Sequence, residues 1–381
     1  MSSAPKILLM AGGTGGHIFP ALAVAQLLTE QGWKTHWLGS ENGMEVSLVP
    51  KYDIDLSLLS IAGVRGKSLA TRLLSPLLLI KAVWQAIKVI RDFRPDVVLG
   101  MGGFASGPGG LAAWLLRCPL CIHEQNAIPG VTNKVLSKLA KYSLQAFPGA
   151  FEKADAVTGN PVRKSISDLP DPEARFDKHK GAIRLLIIGG SRGAAIFNEL
   201  VPEAIAFFNK KLNKNQGDMV ELKVWHQTGA NNRGVVLERY SEQQLLNSDG
   251  AEQQVKIEEF IDDMDAAYQW ADIVLCRSGA LTVSELAAAG LGAIFVPFPY
   301  AVDDHQTANA QYLVRADAAE IIQQSELSSE KLANSISRLA NRKKCLVMAI
   351  NAKQQGKPNA TEDVAAFCIK AAGLSNQRRA A

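Results

Sequence analysis

At 381 residues the chain is long enough for two domains, each able to bury a core of its own. A hydrophobic share of 47% with 20% charged residues is that of an ordinary folded protein and excludes a disordered or fibrous one. Five cysteines with a single C-x-x-C, Cys118-Pro119-Leu120-Cys121, exclude a disulfide framework and leave a zinc site without its second pair. These thiols are expected to be reduced and mostly buried.

Strand and helix signals alternate from the start, which argues for parallel sheets with crossover helices, an α/β fold. In the first half strands are expected near residues 6–10, 34–38, 97–99, 119–123 and 143–146. Helices fit near 18–31, 42–50, 68–75, 77–93, 108–116 and 130–139. The apolar run Ile7-Leu8-Leu9-Met10 enters Gly12-Gly13-Thr14-Gly15-Gly16-His17 and then an apolar helix. Glycines let a backbone approach a phosphate or sugar, and the helix N-terminus adds unpaired N–H groups, so the segment makes an anion cradle. Lys6 precedes only five clearly apolar residues, so no signal peptide and a reducing, cytoplasmic setting are expected.

Charge is concentrated between Arg65 and Arg94, where seven bases (Arg65, Lys67, Arg72, Lys81, Lys88, Arg91, Arg94) face one acid, Asp92. The interleaved Leu77, Leu78, Leu79, Ile80 and Trp84 exceed one core-facing stripe, and some are expected at the surface beside the bases. Such a surface suits an anionic membrane; the alternative is a buried helix pair with a solvated basic face. Nucleic acid is not expected, because aliphatic residues rather than aromatics lie between the bases. No transmembrane segment is expected: Leu73 to Ile80 is far short of a span, and Val97 to Leu116 is broken by glycines and Pro108.

The first domain is expected to close at Thr158-Gly159-Asn160-Pro161-Val162-Arg163. A second alternation then begins, with strands near 184–188, 221–226, 255–259, 273–275 and 293–296, and helix beyond Ser328. It repeats the opening device: Leu185-Leu186-Ile187-Ile188 enters Gly189-Gly190-Ser191-Arg192-Gly193-Ala194. Two such units suggest similar domains facing a cleft. Neither loop is a standard fingerprint, since G-x-G-x-x-G would need glycine at Ile18 and a Walker loop ending at Gly66-Lys67-Ser68 would need it at Ile61.

Polar clusters fall where open α/β sheets bind ligands, beyond the carboxyl ends of strands. Ser278, Gly279 and Ala280 open a helix with N–H groups suited to a diphosphate, and Glu285 can accept from two hydroxyls of a ribose diol. Asp303 and Asp304 are expected to cap a helix. Asp53-Ile54-Asp55 and Asp263-Met264-Asp265 mimic a metal-binding D-x-D. With Asp263 expected at a helix start, no metal is assigned.

In these segments the chain resembles the MurG family, peripheral glycosyltransferases that add N-acetylglucosamine to the lipid-linked muramyl-peptide precursor of bacterial peptidoglycan. The resemblance rests on residues 12–20 (GGTGGHIFP), 63–67 (GVRGK), 100–110 (GMGGFASGPGG), 123–130 (HEQNAIPG), 159–163 (GNPVR), 189–194 (GGSRGA), 260–264 (FIDDM) and 277–290 (RSGALTVSELAAAG). It implies a GT-B fold of two Rossmann-like domains facing a central cleft. Residues 1–163 would form an acceptor and membrane-docking domain, 164–359 a UDP-sugar domain, with a helix at 360–381 packing back on the first. It also implies an inverting transfer, without cofactor, from UDP-N-acetylglucosamine to the C4 hydroxyl of a lipid-linked muramyl-pentapeptide. The setting would be the cytoplasmic face of the inner membrane, with cell-wall and divisome proteins as further partners.

By position, Ile261 is then expected to meet uracil through its backbone and Glu285 the ribose. Ser191 and the Ala280-Leu281-Thr282 turn, with Val283 and Ser284 behind it, face the diphosphate, with Arg163 nearby. Gln306 and Asn126 contact the amino sugar. Thr14, Gly15, Gly16 and the Met101-Gly102-Gly103 loop receive the acceptor. His17 and Glu124 are both candidates for the general base, and structural roles for His17 and His123 stay open. Arg192 stands where the family often has Gln, and Gly292 where it often has Pro.

Three other readings compete: a UDP-N-acetylglucosamine-handling enzyme such as a 2-epimerase, a silent sugar-nucleotide-binding subunit, and a dinucleotide oxidoreductase. The first does not need the basic, leucine-rich surface. The second is at odds with His17, Glu124, Asn126 and Glu285 in one chain, and the third with Ile18.

Overall fold

A computed structural model describes residues 4–61, 69–190, 193–214, 220–246 and 254–374. The chain divides into two compact units, Met1–Arg163 with Lys357–Ala381, and Lys164–Gly356. Each is a parallel sheet with helices on its faces.

The first sheet contains β1 (Lys6–Met10), β2 (Lys34–Ser40), β3 (Asp55–Leu59), β4 (Val97–Gly100), β5 (Leu120–Glu124), β6 (Tyr142–Gln145) and β7 (Ala156–Val157). Their order is β3-β2-β1-β4-β5-β6-β7. β1, β4 and β5 are almost wholly buried, as continuous apolar runs in a sheet covered on both faces must be. Alternate residues serve opposite faces. Ile7 and Leu9 join the core beneath the helices Gly15–Glu30 and Ala360–Ala371, whereas Leu8 and Met10 join the one beneath Leu69–Phe93 and Ser106–Leu115.

The second sheet contains β8 (Ile183–Ile188), β9 (Leu222–Gln227), β10 (Val255–Glu258), β11 (Ile273–Cys276), β12 (Gly292–Phe295) and β13 (Ala319–Ile321), ordered β10-β9-β8-β11-β12-β13. In both sheets the order turns back beside the first strand, at β1/β4 and β8/β11. Loops leaving the two strands there diverge and open a crevice at their carboxyl ends.

The helix Leu69–Phe93 runs through Pro76, where two helices are expected from sequence. Proline forfeits one backbone bond inside a helix, and Pro76 is exposed, so the carbonyl one turn back can be met by water. The alternative of a buried helix pair is therefore replaced by one helix, on which Leu77, Leu78, Leu79, Ile80 and Trp84 are all exposed. Arg65 and Lys67 lie outside the described residues, as does the side chain of Arg72. Among the described residues no helix is long and apolar enough to cross a membrane. All five cysteines are free.

The helix Ala360–Ala371 packs on the helix Gly15–Glu30 and places Val364, Ala365, Cys368 and Ala371 in the first core. The first unit is thus completed only after the chain has built the second. Val364→Asp, which puts a carboxylate at a fully buried position, is expected to cost about 4 kcal/mol. In a calorimetric scan the transition of the first unit should fall by about 10 °C while that of the second stays in place.

Candidate active site

In the first unit three loops converge at the carboxyl ends of β1, β4 and β5. The first begins at Ala11, whose carbonyl accepts from Trp37 Nε1 at 2.9 Å, and carries Gly12 to His17. Gly13 takes a left-handed φ of 90°. Its N–H donates to Glu45 Oε2 at 3.0 Å, while Ser40 N and Oγ both donate to Glu45 Oε1 at 2.8 Å. Glu45 is fully buried and lies against the α-carbons of Gly12, Gly39 and Gly43, where any Cβ would collide with its side chain, with the carboxylate at Gly12 and Gly43 and with Cγ at Gly39. This carboxylate is a mould for the glycine loop. Sequence reasoning misses it, because nothing in the helix expected over 42–50 singles out Glu45.

The second loop, Met101 to Gly103, lies against the first. A Cβ on Gly103 would stand 2.7 Å from Gly12 N, and one on Gly102 would stand 2.9 Å from His17 Nδ1. Both glycines have φ near 90°, at 84° and 99°. Ser106 Oγ lies between the two, 3.0 Å from Met10 O and 2.6 Å from Gly102 O, and its single proton is donated to one of them at a time.

The third loop follows β5. Glu124 is buried and accepts four hydrogen bonds: from Asn126 N at 2.9 Å and Asn126 Nδ2 at 3.2 Å on Oε1, and from Asn133 Nδ2 at 2.9 Å and Gly130 N at 3.2 Å on Oε2. Four acceptor sites are what a carboxylate has, so Glu124 organises residues 126–133. The neighbouring Gln125 bridges two histidines, His17 Nδ1 at 2.8 Å through Oε1 and His123 Nδ1 at 3.2 Å through Nε2. His123 Nε2 in turn meets Gly159 O at 2.9 Å. Burial pushes His123 down to about 4, against the pull of the Gly159 carbonyl, so it is neutral at physiological pH. Its neighbour in the chain of bonds, His17, is half-buried.

In the second unit the loops after β8, β11 and β12 form a comparable cluster. Gly189, Gly190 and Gly193 make the first; Ser191 and Arg192 lie outside the described residues. Gly279 precedes the helix Ala280–Ala289, and Val283 N already bonds to Gly279 O at 3.0 Å. The amides of Ala280, Leu281 and Thr282 therefore belong to the first turn, where no carbonyl of the helix can reach them. The opposite end of the helix is neutralised by cations: Arg175 bonds to Ala289 O at 2.8 Å and to Gly290 O, and Lys353 Nζ to Ala288 O at 2.8 Å. Arg277 anchors the loop after β12 through Val296 O at 3.0 Å and Pro297 O at 3.1 Å, and Gln306 Oε1 accepts from Phe298 N at 2.9 Å. Tyr268 OH donates to Glu285 Oε2 at 3.0 Å, both residues being buried.

Residues 7–145 match the Glycosyltransferase family 28 N-terminal domain, and residues 184–364 match the C-terminal domain of the same family. The chain belongs to glycosyltransferase family 28. A protein of Shewanella piezotolerans named UDP-N-acetylglucosamine–N-acetylmuramyl-(pentapeptide) pyrophosphoryl-undecaprenol N-acetylglucosamine transferase is 51% identical over 369 residues, 96% of this chain and 97% of that protein. The crystal structure of Acinetobacter baumannii MurG superposes with a TM-score of 0.81 at 39% identity, covering 96% of this chain and 99% of that one. A putative UDP-N-acetylglucosamine 2-epimerase from Listeria monocytogenes shares the fold alone, with a TM-score of 0.64 at 16% identity over 97% of each chain.

The family 28 fold, two Rossmann-like domains of the GT-B class, is thus the one expected from sequence. Of the expected site residues, Thr14, Gly15, Gly16, His17, Glu124 and Asn126 lie on converging loops of the first unit, with Arg163 at its boundary and over the ring of Phe19. Ile261, Ala280 to Glu285 and Gln306 lie on loops and helix starts of the second. Val283 is a core side chain and the Ser284 hydroxyl bonds to Ala280 O at 2.9 Å, so both side chains are engaged within the protein. Asp263 caps its helix through Ala266 N at 2.9 Å. Asp304 corrects the capping expectation: its carboxylate accepts from Thr307 Oγ1 at 2.7 Å instead of a backbone amide, and both Asp303 and Asp304 are left-handed.

The buried neutral histidine makes the first unit sensitive to acid. The unfolded chain protonates His123 near 6.5 and the folded one only near 4, so its stability is complete above pH 6.5 and falls as pH drops toward 4. The loss is expected to be on the order of 3 kcal/mol. Denaturant titrations at steps across that window should show it, and His123→Asn should flatten the slope.

Proposed function

We propose that this family 28 enzyme transfers N-acetylglucosamine from UDP-N-acetylglucosamine, with inversion, to the C4 hydroxyl of an undecaprenyl-pyrophosphoryl-muramyl-pentapeptide. The observation that carries this is the 51% identity, over nearly the whole of both chains, to a protein named for that transfer. Peptidoglycan synthesis follows from it, and with it a role in cell shape and division.

The donor is assigned to the second unit. The first turn of the helix Ala280–Ala289 offers amides to the diphosphate, and the cations at its far end leave its positive pole unopposed within the helix. Glu285, one turn further on, takes the ribose hydroxyls, its carboxylate held by Tyr268. Ile261, Ser191 and Gln306 complete the donor contacts within this unit.

The acceptor is assigned to the first unit, along Thr14, Gly15 and Gly16 and the Met101 to Gly103 loop. As the C4 hydroxyl attacks the anomeric carbon, the bond to UDP breaks on the opposite face and the hydroxyl proton must leave. His17 is the base. Its imidazole is half-exposed beside the glycine loop, whereas Glu124 has spent its acceptor sites on backbone and side-chain amides. The charge growing on UDP is met by the helix N-terminus.

The test is transfer of labelled N-acetylglucosamine to a lipid-linked muramyl-pentapeptide with EDTA present. Glu285→Ala is expected to lower kcat/KM by at least about 100-fold, the worth of a charged hydrogen-bond pair. Tyr268→Phe should raise the donor KM about threefold to tenfold with little change in kcat. Robust transfer by Glu285→Ala would move the donor site elsewhere.

The docking surface is the exposed apolar stretch Leu77 to Ile80 with Trp84, bordered by Lys81, Lys88, Arg91 and Arg94. Trp114 and Leu115, on the helix packed beside it, extend the exposed apolar area. Aliphatic and tryptophan side chains next to bases fit the headgroup layer of an anionic membrane. The triple variant Leu79→Ser, Ile80→Ser, Trp84→Ser is expected to bind phosphatidylglycerol vesicles at least about tenfold more weakly, measured by cosedimentation, with UDP-sugar binding unchanged.

A further inference from the structure

Four groups in the first unit form a single file: His17, Gln125, His123 and the carbonyl of Gly159. The direction of every hydrogen bond in it can be worked out from one end. Gly159 O can only accept, so His123 Nε2, 2.9 Å away, carries a proton. His123 is neutral, so its Nδ1 is bare and must accept. The group facing it is Gln125 Nε2, which also lies 3.1 Å from His123 O, a second atom that can only accept. Both constraints place the amide NH2 on this side, its two protons spent on Nδ1 and on the carbonyl. Gln125 therefore turns Oε1 toward His17, and His17 Nδ1 at 2.8 Å must be the donor. A neutral His17 then has its lone pair on Nε2. Among the described residues no other hydrogen bond reaches this ring, and Gly102 packs against its Nδ1 and Cε1 side.

We propose that Gln125 and His123 are positioning residues that hold neutral His17 in the Nδ1–H tautomer, leaving Nε2 as the basic nitrogen. A histidine in water prefers the other tautomer, with the proton on Nε2, so the file reverses an intrinsic preference. Only a lone pair on the outward nitrogen can take the proton of an attacking hydroxyl; the proton moves from the acceptor oxygen to Nε2 as that oxygen bonds to the anomeric carbon and UDP departs. The imidazolium so formed keeps its Nδ1–H on Gln125 Oε1, and this bond strengthens as the ring becomes charged. The catalytic importance of the device rests on His17 being the base, as proposed above; the tautomer itself does not.

The file also constrains each residue that forms it. Gln125 could not be replaced by Glu without placing a carboxylate against the His123 carbonyl and the bare His123 Nδ1. His123 must be buried to stay neutral, because a protonated ring would donate from Nδ1 and turn the amide around. Gly159 has a φ of 80°, and a side chain there would run into Lys357, so the terminal acceptor is held in place by a close contact at the start of the chain's return to the first unit.

The experiment is long-range proton–nitrogen correlation NMR on full-length protein labelled with 15N-histidine, at about pH 8.5, where imidazoles are neutral. The spectrum of His17, assigned by its loss in His17→Gln, is expected to show a protonated Nδ1 and a bare Nε2. Gln125→Met, which can neither donate nor accept through nitrogen or oxygen, should shift the ring toward Nε2–H. It should also lower kcat on the order of tenfold while the donor KM changes by less than about twofold. Gln125→Glu, which keeps an acceptor toward His17 but sets its second oxygen against the His123 carbonyl and bare Nδ1, should not recover the wild-type kcat. A wild-type His17 with its proton on Nε2 overturns the proposal, whether or not the Gln125 variants fold. A Gln125→Met ring unchanged from wild type overturns it too. Full transfer by His17→Gln would instead sink the assignment of the base, and the tautomer spectrum would stand apart from that outcome.

Discussion

At the carboxyl end of the first sheet two loops meet with no side chain between them. A Cβ on Gly103 would fall 2.7 Å from Gly12 N, so the Met101 to Gly103 loop reaches the glycine loop only because both are bare there. The parallel order of the strands forces this meeting. β1 and β4 are neighbours whose following loops go to opposite faces, and where they part a crevice is left for a ligand. Everything proposed for the first unit depends on that approach: it places His17 beside Gly102 and brings its ring to Gln125, a residue of the loop after β5. The second unit repeats the solution, with Gly193 set against the backbone of Thr228 and Gly229.

Bare backbone has to be held, and acidic side chains do much of the holding. Glu45 and Glu124 are both buried carboxylates, each beside a loop of the proposed site, and each is surrounded by donors. Burying a carboxylate is costly unless its oxygens are satisfied, and neutral amide and hydroxyl donors satisfy them here without a cation. The result is a pair of loops tied down by the protein's own hydrogen bonds. In the second unit the same need is met by cations at the carbonyl end of the helix Ala280–Ala289 and by Arg277 under the loop after β12.

Most of the fold was legible in the sequence because its strands are short apolar runs ending in glycine or polar clusters. All ten expected strands are present, with ends displaced by a residue or two. The three that were not expected are edge strands, β3, β7 and β13. β3 is half exposed along its length and begins at an aspartate, while β7 and β13 have two and three residues, too few for any pattern to repeat. Pro76 misled for the opposite reason, since a strong local signal was overridden at an exposed helix position. The residues proposed for the site could also be picked out: His17, Glu285 and the Ala280 turn lie in the opening turns of helices that follow strands. What was not visible is the set of residues acting through those, Glu45, Gln125 and Tyr268. Each lies far in sequence from the group it touches, at separations of 32, 108 and 17 residues from Gly13, His17 and Glu285. No periodicity or motif in a single chain records a contact across that distance.

The two histidines of the first unit show how burial, more than residue type, assigns chemistry. His123 is enclosed, neutral and bonded at both ring nitrogens, so it has no atom left for a substrate. His17 is half-buried and bonded at one nitrogen only among the described residues. A base needs an accessible lone pair and a route for its charge once protonated, and only the second ring has both. The first has a different value. Because it cannot ionise near neutrality, the direction of its hydrogen bonds does not change over the pH range in which the protein works. A fixed tautomer at one histidine can therefore be read along an amide and imposed on the next.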